Sequence, residues 1–446
     1  MKHKSKQAFL VFTTAALIVF VYVSLAAALP DIPSSQFQSA ESCACHNTFR
    51  SQWSSSMHSK ALSDPLYILK RDRANRETDG AVGKFCDGCH APVAIMAGEN
   101  TLNAGELPAQ SKEGVGCNFC HQVSGSTTPI GNTSVEVTPD GARRAQLKDA
   151  QAPHPAAYSK FHETAEFCGN CHNVNHPANG LALEATYTEW KNSPYAKEGI
   201  VCQDCHMTPG VGPTVNPGAS AMGAPERDHI FNMTFAGGNV GLGDSKLAEE
   251  RLKGAATLNI TIDNDIVPKG SKTTATVTVI NSGAGHYIPT GLTDMRQMWL
   301  LVTATTGDGA EKELFRRDFG TIFADDKGNA PVQIWAATKV KSDDRIPPKE
   351  SITEKITFLQ EDAKSTTVQA ALYYRSASPE IAREANVDIP TTTMASQKAV
   401  VYASDQAKTV AQASKQPARP ASQVPWLFAG LAVFVISLTM CRNGRS

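Results

Sequence analysis

The sequence has no surplus of charge of either sign. In 446 residues, 42 Lys and Arg stand against 43 Asp and Glu, a formal net charge of -1. Nucleic acid, which calls for a strongly basic face, is therefore not an expected partner. Cysteine is absent from residue 206 to residue 440, although the chain has 11 in all. A disulfide scaffold would spread its bridges over the whole exported part, which makes that class a weak reading. Residues 255–403 also show no nucleophile constellation and no metal cluster. Histidine is scarce, at 12. Charged residues at 19% and hydrophobic residues at 41% still fit a folded chain, and the length suits two or three domains.

What is present is concentrated. Ten of the 11 cysteines fall between Cys43 and Cys205, and the last is Cys441. Four segments read C-x-x-C-H: Cys86-Cys89-His90, Cys117-Cys120-His121, Cys168-Cys171-His172 and Cys202-Cys205-His206. This is the haem c attachment signature. Two thiols three apart on a helical turn can each add to one vinyl group of a haem, and the adjacent His then binds the iron. Zinc is the competing reading, but zinc sites pair one C-x-x-C with another and do not place a His after every second Cys. A fifth segment, Cys43-Ala44-Cys45-His46, is one residue short. Its cysteines have no other partner and His46 stands where the proximal ligand belongs, so haem c is expected at five sites.

Each attached iron needs a sixth ligand or keeps an open position. Setting aside His3 and the five motif histidines leaves His58, His154, His162, His176, His229 and His286. These are close to the number needed to close every site. His154 and His162 are eight apart, a spacing that on a helix puts both on one face. Met57, Met207 and Met233 are the other conceivable axial groups. No C-x-x-C-K variant occurs.

The ends predict export and tethering. Lys2, Lys4 and Lys6 precede an uncharged, mostly apolar run from Ala8 to Leu29, so residues 1–29 read as a signal peptide or N-terminal anchor. Residues 404–424 read as an extended linker. Trp426 to Cys441 is an uncharged run of 16, followed by Arg442 and Arg445. A helix of that run is roughly 24 Å long against a hydrocarbon core of about 30 Å, and Pro425 narrows the gap. Segment 425–441 is thus expected to span a membrane and 442–446 to form a basic cytoplasmic tail. The body is placed on the periplasmic or cell-surface side.

The sequence resembles the multihaem c-type cytochromes, in particular the group related to the tetrahaem electron-transfer cytochrome of nitrifiers. The resemblance rests on Trp53-Ser54-Ser55-Ser56-Met57-His58, Glu166-Phe167-Cys168-Gly169-Asn170-Cys171-His172, Tyr187-Thr188-Glu189-Trp190 and Cys202-Gln203-Asp204-Cys205-His206-Met207. It extends to Gly283-Ala284-Gly285-His286-Tyr287-Ile288-Pro289-Thr290-Gly291, usual at the start of the module that follows the haems. It implies haems packed in a close chain, in which a His near one motif closes a neighbour's iron. On that footing His58, His154 and His229 are distal ligands. The shortened first motif and the fifth site depart from the group.

The expected fold is α+β and multidomain. A mostly α and loop cytochrome region covers 30–250, with short helices after each motif and with Phe85, Phe167 and Trp190 packed on haem. An immunoglobulin-like β-sandwich follows at 255–403, with apolar segments at both ends of the chain. Polar–apolar alternation predicts strands over 257–262, 274–280, 298–305, 332–341, 351–358 and 367–375. Three functions compete. The first is an electron carrier between a membrane quinol-linked donor and a downstream cytochrome or terminal acceptor. The second is a multihaem reductase or oxidase of small nitrogen or sulfur compounds, with the Cys43-Cys45-His46 haem as the open one. The third is a subunit of an extracellular filament, where a second copy of the chain is the partner.

Overall fold

The computed structural model describes residues 29–415. The expected apolar segments, all but the last residue of 1–29 together with 425–441, lie outside the described residues, as does the tail 442–446. Among the described residues no helix is long and apolar enough to cross a membrane.

The N-terminal region is built of short helices and long loops. Its main helices are α1 (Asn47–Ser55), α2 (Pro65–Glu77), α3 (Gly83–His90), α4 (Cys117–Gln122), α5 (Ala165–Gly169), α6 (Thr186–Lys191) and α7 (Cys202–His206). The expectation of a helix after each motif needs correction. A helix follows the motif in two places, α1 after His46 and Pro92–Met96 after His90; α3, α4 and α7 contain their motifs, and α5 holds Cys168. The physical reason is that a three-residue separation puts both thiols on one helical face only if the motif itself is helical. The shortened motif sits in a tighter 3-10 turn, Ala44–His46. In α2 the Asp64 carboxylate accepts from the Leu66 N–H at 3.0 Å, and Pro65 occupies the first turn.

Helix α8 (Ser245–Ala255), capped by Asp244 through the Leu247 N–H, leads into the β-rich region. Its strands are β1 (Thr257–Ile262), β2 (Lys272–Ile280), β3 (Gln297–Thr306), β4 (Glu311–Phe319), β5 (Thr321–Ala324), β6 (Lys339–Asp343), β7 (Ser351–Leu359), β8 (Ser365–Arg375) and β9 (Thr392–Tyr402). One antiparallel sheet has the order β7-β2-β1 and a second the order β4-β3-β8-β9, while β5 and β6 form a separate pair. Strand β2 buries Thr273, Ala275, Val277 and Val279, every second residue. Ala275, Val277 and Val279 meet Leu300 and Val302 of β3 and Val368 and Leu372 of β8 in one core.

Five of the six expected strands are present. The stretch 332–341 is different: Ile334–Ala336 is a 3-10 turn, and β6 begins only at Lys339. Here contact with the N-terminal region overrides the alternation, since the Trp335 indole donates to Glu77 of α2. The strands β4 and β9 escaped notice because edge strands rich in Lys, Arg and polar residues carry little apolar signal. Residues 405–415, expected as extended linker, form helix α9 (Asp405–Lys415). Its start is held by the Ser404 hydroxyl, which accepts from the Ala407 N–H, and by the Lys408–Asp265 ion pair.

The two regions are packed against each other. Leu66 of α2 lies with Ala377, Ala382 and Ile389, and Leu183 lies with Phe323 and Ala337. Two charged clasps cross the same boundary, Lys70–Asp294 and Glu189–Arg345, with side chains 12% exposed or less. Leu372→Ala is expected to cost about 2–5 kcal/mol, because its side chain is fully buried at the centre of the β core. Val340→Ala, at an exposed position, should stay within about 0.5 kcal/mol. Urea unfolding of the haem-loaded protein, followed by far-ultraviolet circular dichroism, checks both.

Candidate multihaem site

A continuous cavity of about 1720 Å³ runs through the N-terminal region to its contact with the β core. All ten motif cysteines line it, and so do ten of the 11 candidate histidines; His229 does not. Phe85, Phe167 and Trp190 are in its wall, together with Met57, Met207 and Met233.

Four pairs of imidazoles face each other across this space. Ring centroids are 6.3 Å apart for His46 and His154, 6.3 Å for His58 and His172, 6.1 Å for His121 and His162, and 6.3 Å for His206 and His286. Two imidazoles, each with a nitrogen about 2.0 Å from one shared ion, put their centroids a little over 6 Å apart. Each pair joins one motif histidine to one histidine from elsewhere. Among the described residues no group of three His, Cys, Asp or Glu side chains is placed to hold a metal by itself. A two-imidazole site of this kind needs further ligands, which the described residues do not supply and a porphyrin would. The residues present therefore fit haem c, and zinc is disfavoured by the same geometry.

The rings are held in the tautomer that an iron ligand requires. A carbonyl can only accept, so a ring nitrogen bonded to one must carry the proton. Nδ1 of His46 donates to Ser220, of His90 to Ala61, of His121 to Arg144, of His206 to Ala236, of His154 to Pro155 and of His286 to Tyr287, over 2.7–3.0 Å. His172 donates instead to the Glu184 carboxylate at 3.2 Å. In all of these Nε2 is left with its lone pair. His162 is reversed: Nε2 donates to the Cys120 carbonyl at 3.0 Å, while Nδ1 is buried with no hydrogen-bond partner among the described residues.

Local backbone places the non-motif partners. The His58 carbonyl accepts from the Val115 N–H at 2.9 Å, and its turn passes so close to Gly114 that a Cβ there would stand 2.5 Å from that oxygen. Gly114 also has a positive φ of 64°, so glycine is required twice over. The His286 loop crosses the end of α8 where a Cβ on Gly283 would fall 2.0 Å from the Gly254 carbonyl. Glu189 of α6 fixes that loop further, accepting from the Tyr287 N–H at 3.1 Å and the Thr290 hydroxyl at 2.7 Å.

Burial disfavours charge on the rings. It pushes His58 down to about 3, with the neighbouring His172 adding to the effect, and takes His162 and His206 down to about 4. His90 and His121 are lowered for the same reason. His172 is the exception. Burial lowers it too, but the hydrogen bond and charge of Glu184 outweigh that and hold it above the ordinary value. Burial pushes the thiols of Cys86 and Cys120 up to about 12 and that of Cys205 to about 11.

Contacts between motifs give the order of the sites. The Cys43 thiol reaches Cys117, Cys89 reaches Cys171, and Cys168 reaches Cys202. Cys120 stands close enough to Cys168 and Cys171 to act on both electrostatically. The motif of His172 is thus a junction, neighbour to those of His90, His121 and His206, with the motif of His46 beyond His121.

Not every candidate histidine is brought to a partner ring. His154 and His162 share no helix; Pro155 and a short strand, Ala156–Tyr158, separate them, and they face different motifs. Both His176 nitrogens are engaged, Nε2 with the Trp335 carbonyl and Nδ1 with the Ala178 N–H. His229 accepts from the Asn216 N–H and packs edge-on to Phe231. His90 stacks on Tyr67, ring centroids 3.7 Å apart, and faces no second imidazole among the described residues. The acceptors Ser220, Ala61, Ala236 and Glu184 carry no motif, and only the fold reveals them.

Comparison with known proteins agrees with this geometry. Residues 42–122 match the family described as Cytochrome c554 and c-prime. Cytochrome c-552 of Aliarcobacter butzleri (strain RM4018) is 26% identical over 138 residues, which is 27% of this chain; the match spans only 26% of that protein's length. The crystal structure of a penta-heme cytochrome c552 from Thermochromatium tepidum superposes with a TM-score of 0.62 at 22% identity, covering 82% of this chain and 100% of the other. Residues 42–122 are thus similar to that family, and the overall fold is shared with the penta-heme cytochrome. His286→Ala is expected to leave the haem count unchanged while converting one low-spin iron to high-spin. His229→Ala should change neither. Pyridine haemochrome and electron paramagnetic resonance of both variants decide.

Proposed function

We propose that this chain is an exported electron carrier that holds five haems, four of them closed by two histidines each. The observation that carries the reading is the set of four facing imidazole pairs at 6.1–6.3 Å. Bound haem c supplies a one-electron ferric–ferrous couple. The chain's own residues do the rest. The motif cysteines hold each group by thioether links. His154, His58, His162 and His286 would hold the irons together with His46, His172, His121 and His206. Each of these rings is thereby committed to the metal and keeps substrate away from it.

In this reading His286 comes from the β region, which we take as an immunoglobulin-like sandwich whose loop completes the site of His206. The terminal apolar segment 425–441 tethers the body to the membrane near a quinol-linked donor, with a downstream cytochrome or other acceptor outside. A second reading is favoured by one feature, the ring of His90 without a facing imidazole among the described residues. An iron held there would keep a position for a small nitrogen or sulfur compound, which moves the suspected open site from the Cys43-Cys45-His46 motif to the Cys86-Cys89-His90 motif.

Quantitative electron paramagnetic resonance on the oxidised, purified protein tests both. The expected result is five haems per chain, four low-spin irons and one high-spin iron. Two or more high-spin irons would refute the paired closure, and five low-spin irons would remove the second reading.

A further inference from the structure

The five motif histidines are oriented alike through Nδ1, but not by the same kind of acceptor. Ser220, Ala61, Arg144 and Ala236 offer neutral backbone carbonyls to His46, His90, His121 and His206. His172 alone donates to a carboxylate, Glu184 Oε1. The Glu184 side chain is 14% exposed, and the open face of His172 looks into the cavity. Glu184 closes a short hairpin, Val174–Asn175 with Ala182–Glu184, in which Val174 is its cross-strand partner. The hairpin begins two residues after His172, so the carboxylate is fixed by the same segment that carries the ring. Thr186 adds a hydroxyl contact at 3.5 Å to the same oxygen. Arg296 is the cation that acts on Glu184 from the β region, and His90 faces it from the neighbouring motif.

An anionic acceptor on Nδ1–H draws that proton away from the ring and makes Nε2 a stronger donor. A stronger axial donor stabilises the oxidised metal. The effect falls at one place in the chain of sites: the thiols of the His172 motif lie against Cys89 and Cys202 of two other motifs, with Cys120 of a third nearby.

We propose that Glu184 is a redox-tuning positioning residue, which acts through His172 to hold the junction iron at a lower potential than its neighbours' carbonyl acceptors would. Electrons then rest on the arms and cross the junction without accumulating there. This rests on the reading that the motif histidines bind haem iron.

The test is spectropotentiometric titration of the haem-loaded protein beside Glu184→Gln, which keeps an acceptor oxygen and removes the charge. The expected result is that one of the five reduction steps moves positive by about a tenfold change in its equilibrium, which is 59 mV for one electron. Glu184→Asp should leave that step near its original place. Five loaded haems with every step unmoved, or with all steps moved together, would overturn the proposal. A low haem count in the unaltered protein would instead overturn the reading beneath it. If Glu184→Gln takes up fewer haems, Arg296→Gln supplies the reverse test: the same step moves negative, and an unmoved step overturns the proposal.

Discussion

Two imidazoles that share one metal must face each other across a little over 6 Å, with a proton on the nitrogen that turns away. Four pairs of rings in this chain have that spacing. Most of these rings have an acceptor on the backbone, and His172 has the Glu184 carboxylate. Ser220, Arg144 and Ala236, far from their histidines in sequence, lie 2.7–2.8 Å from them in space. Gly114 and Gly283 sit where chain passes chain too closely for a Cβ. A conventional aliphatic core is small in this region; Val93, Met96, Phe119 and Val123 make its largest cluster.

The β region serves the same condition from the other side. It has a full core of its own, with Val277, Val302, Val368 and Leu372 entirely buried. From that rigid base it extends one loop, which brings His286 opposite His206. The loop is clasped to α6 by Glu189, which also pairs with Arg345. Breaking such a buried pair by removing one partner leaves a charge uncompensated, with a cost of about 3–5 kcal/mol. The clasp therefore holds the His286 loop against α6.

Part of this was legible in the sequence. C-x-x-C-H states its chemistry locally, because thiols and proximal ligand are adjacent and one helical turn brings them together. Alternation in Thr274-Ala275-Thr276-Val277-Thr278-Val279 shows a half-buried strand in the same local way. Pairing of the remaining histidines is a long-range property, and spacing misled there: His154 and His162 look like one helical face, yet Pro155 and an extended segment send them to different motifs. His176 and His229 are indistinguishable from His58 by composition. Only their hydrogen bonds, to Trp335, Ala178 and Asn216, set them apart. Trp335 itself turned an expected strand into a 3-10 turn, again through a partner more than 150 residues away.

The most direct test of the account is to locate the irons. Crystals of the haem-loaded protein, measured with anomalous scattering at the iron absorption edge, give metal positions independently of any spectroscopic assignment. The account predicts five iron peaks: one midway between the rings of each pair, His46–His154, His58–His172, His121–His162 and His206–His286, and the fifth beside His90. An iron lying beside His176 or His229, or any of the four pairs without an iron between its rings, would contradict it.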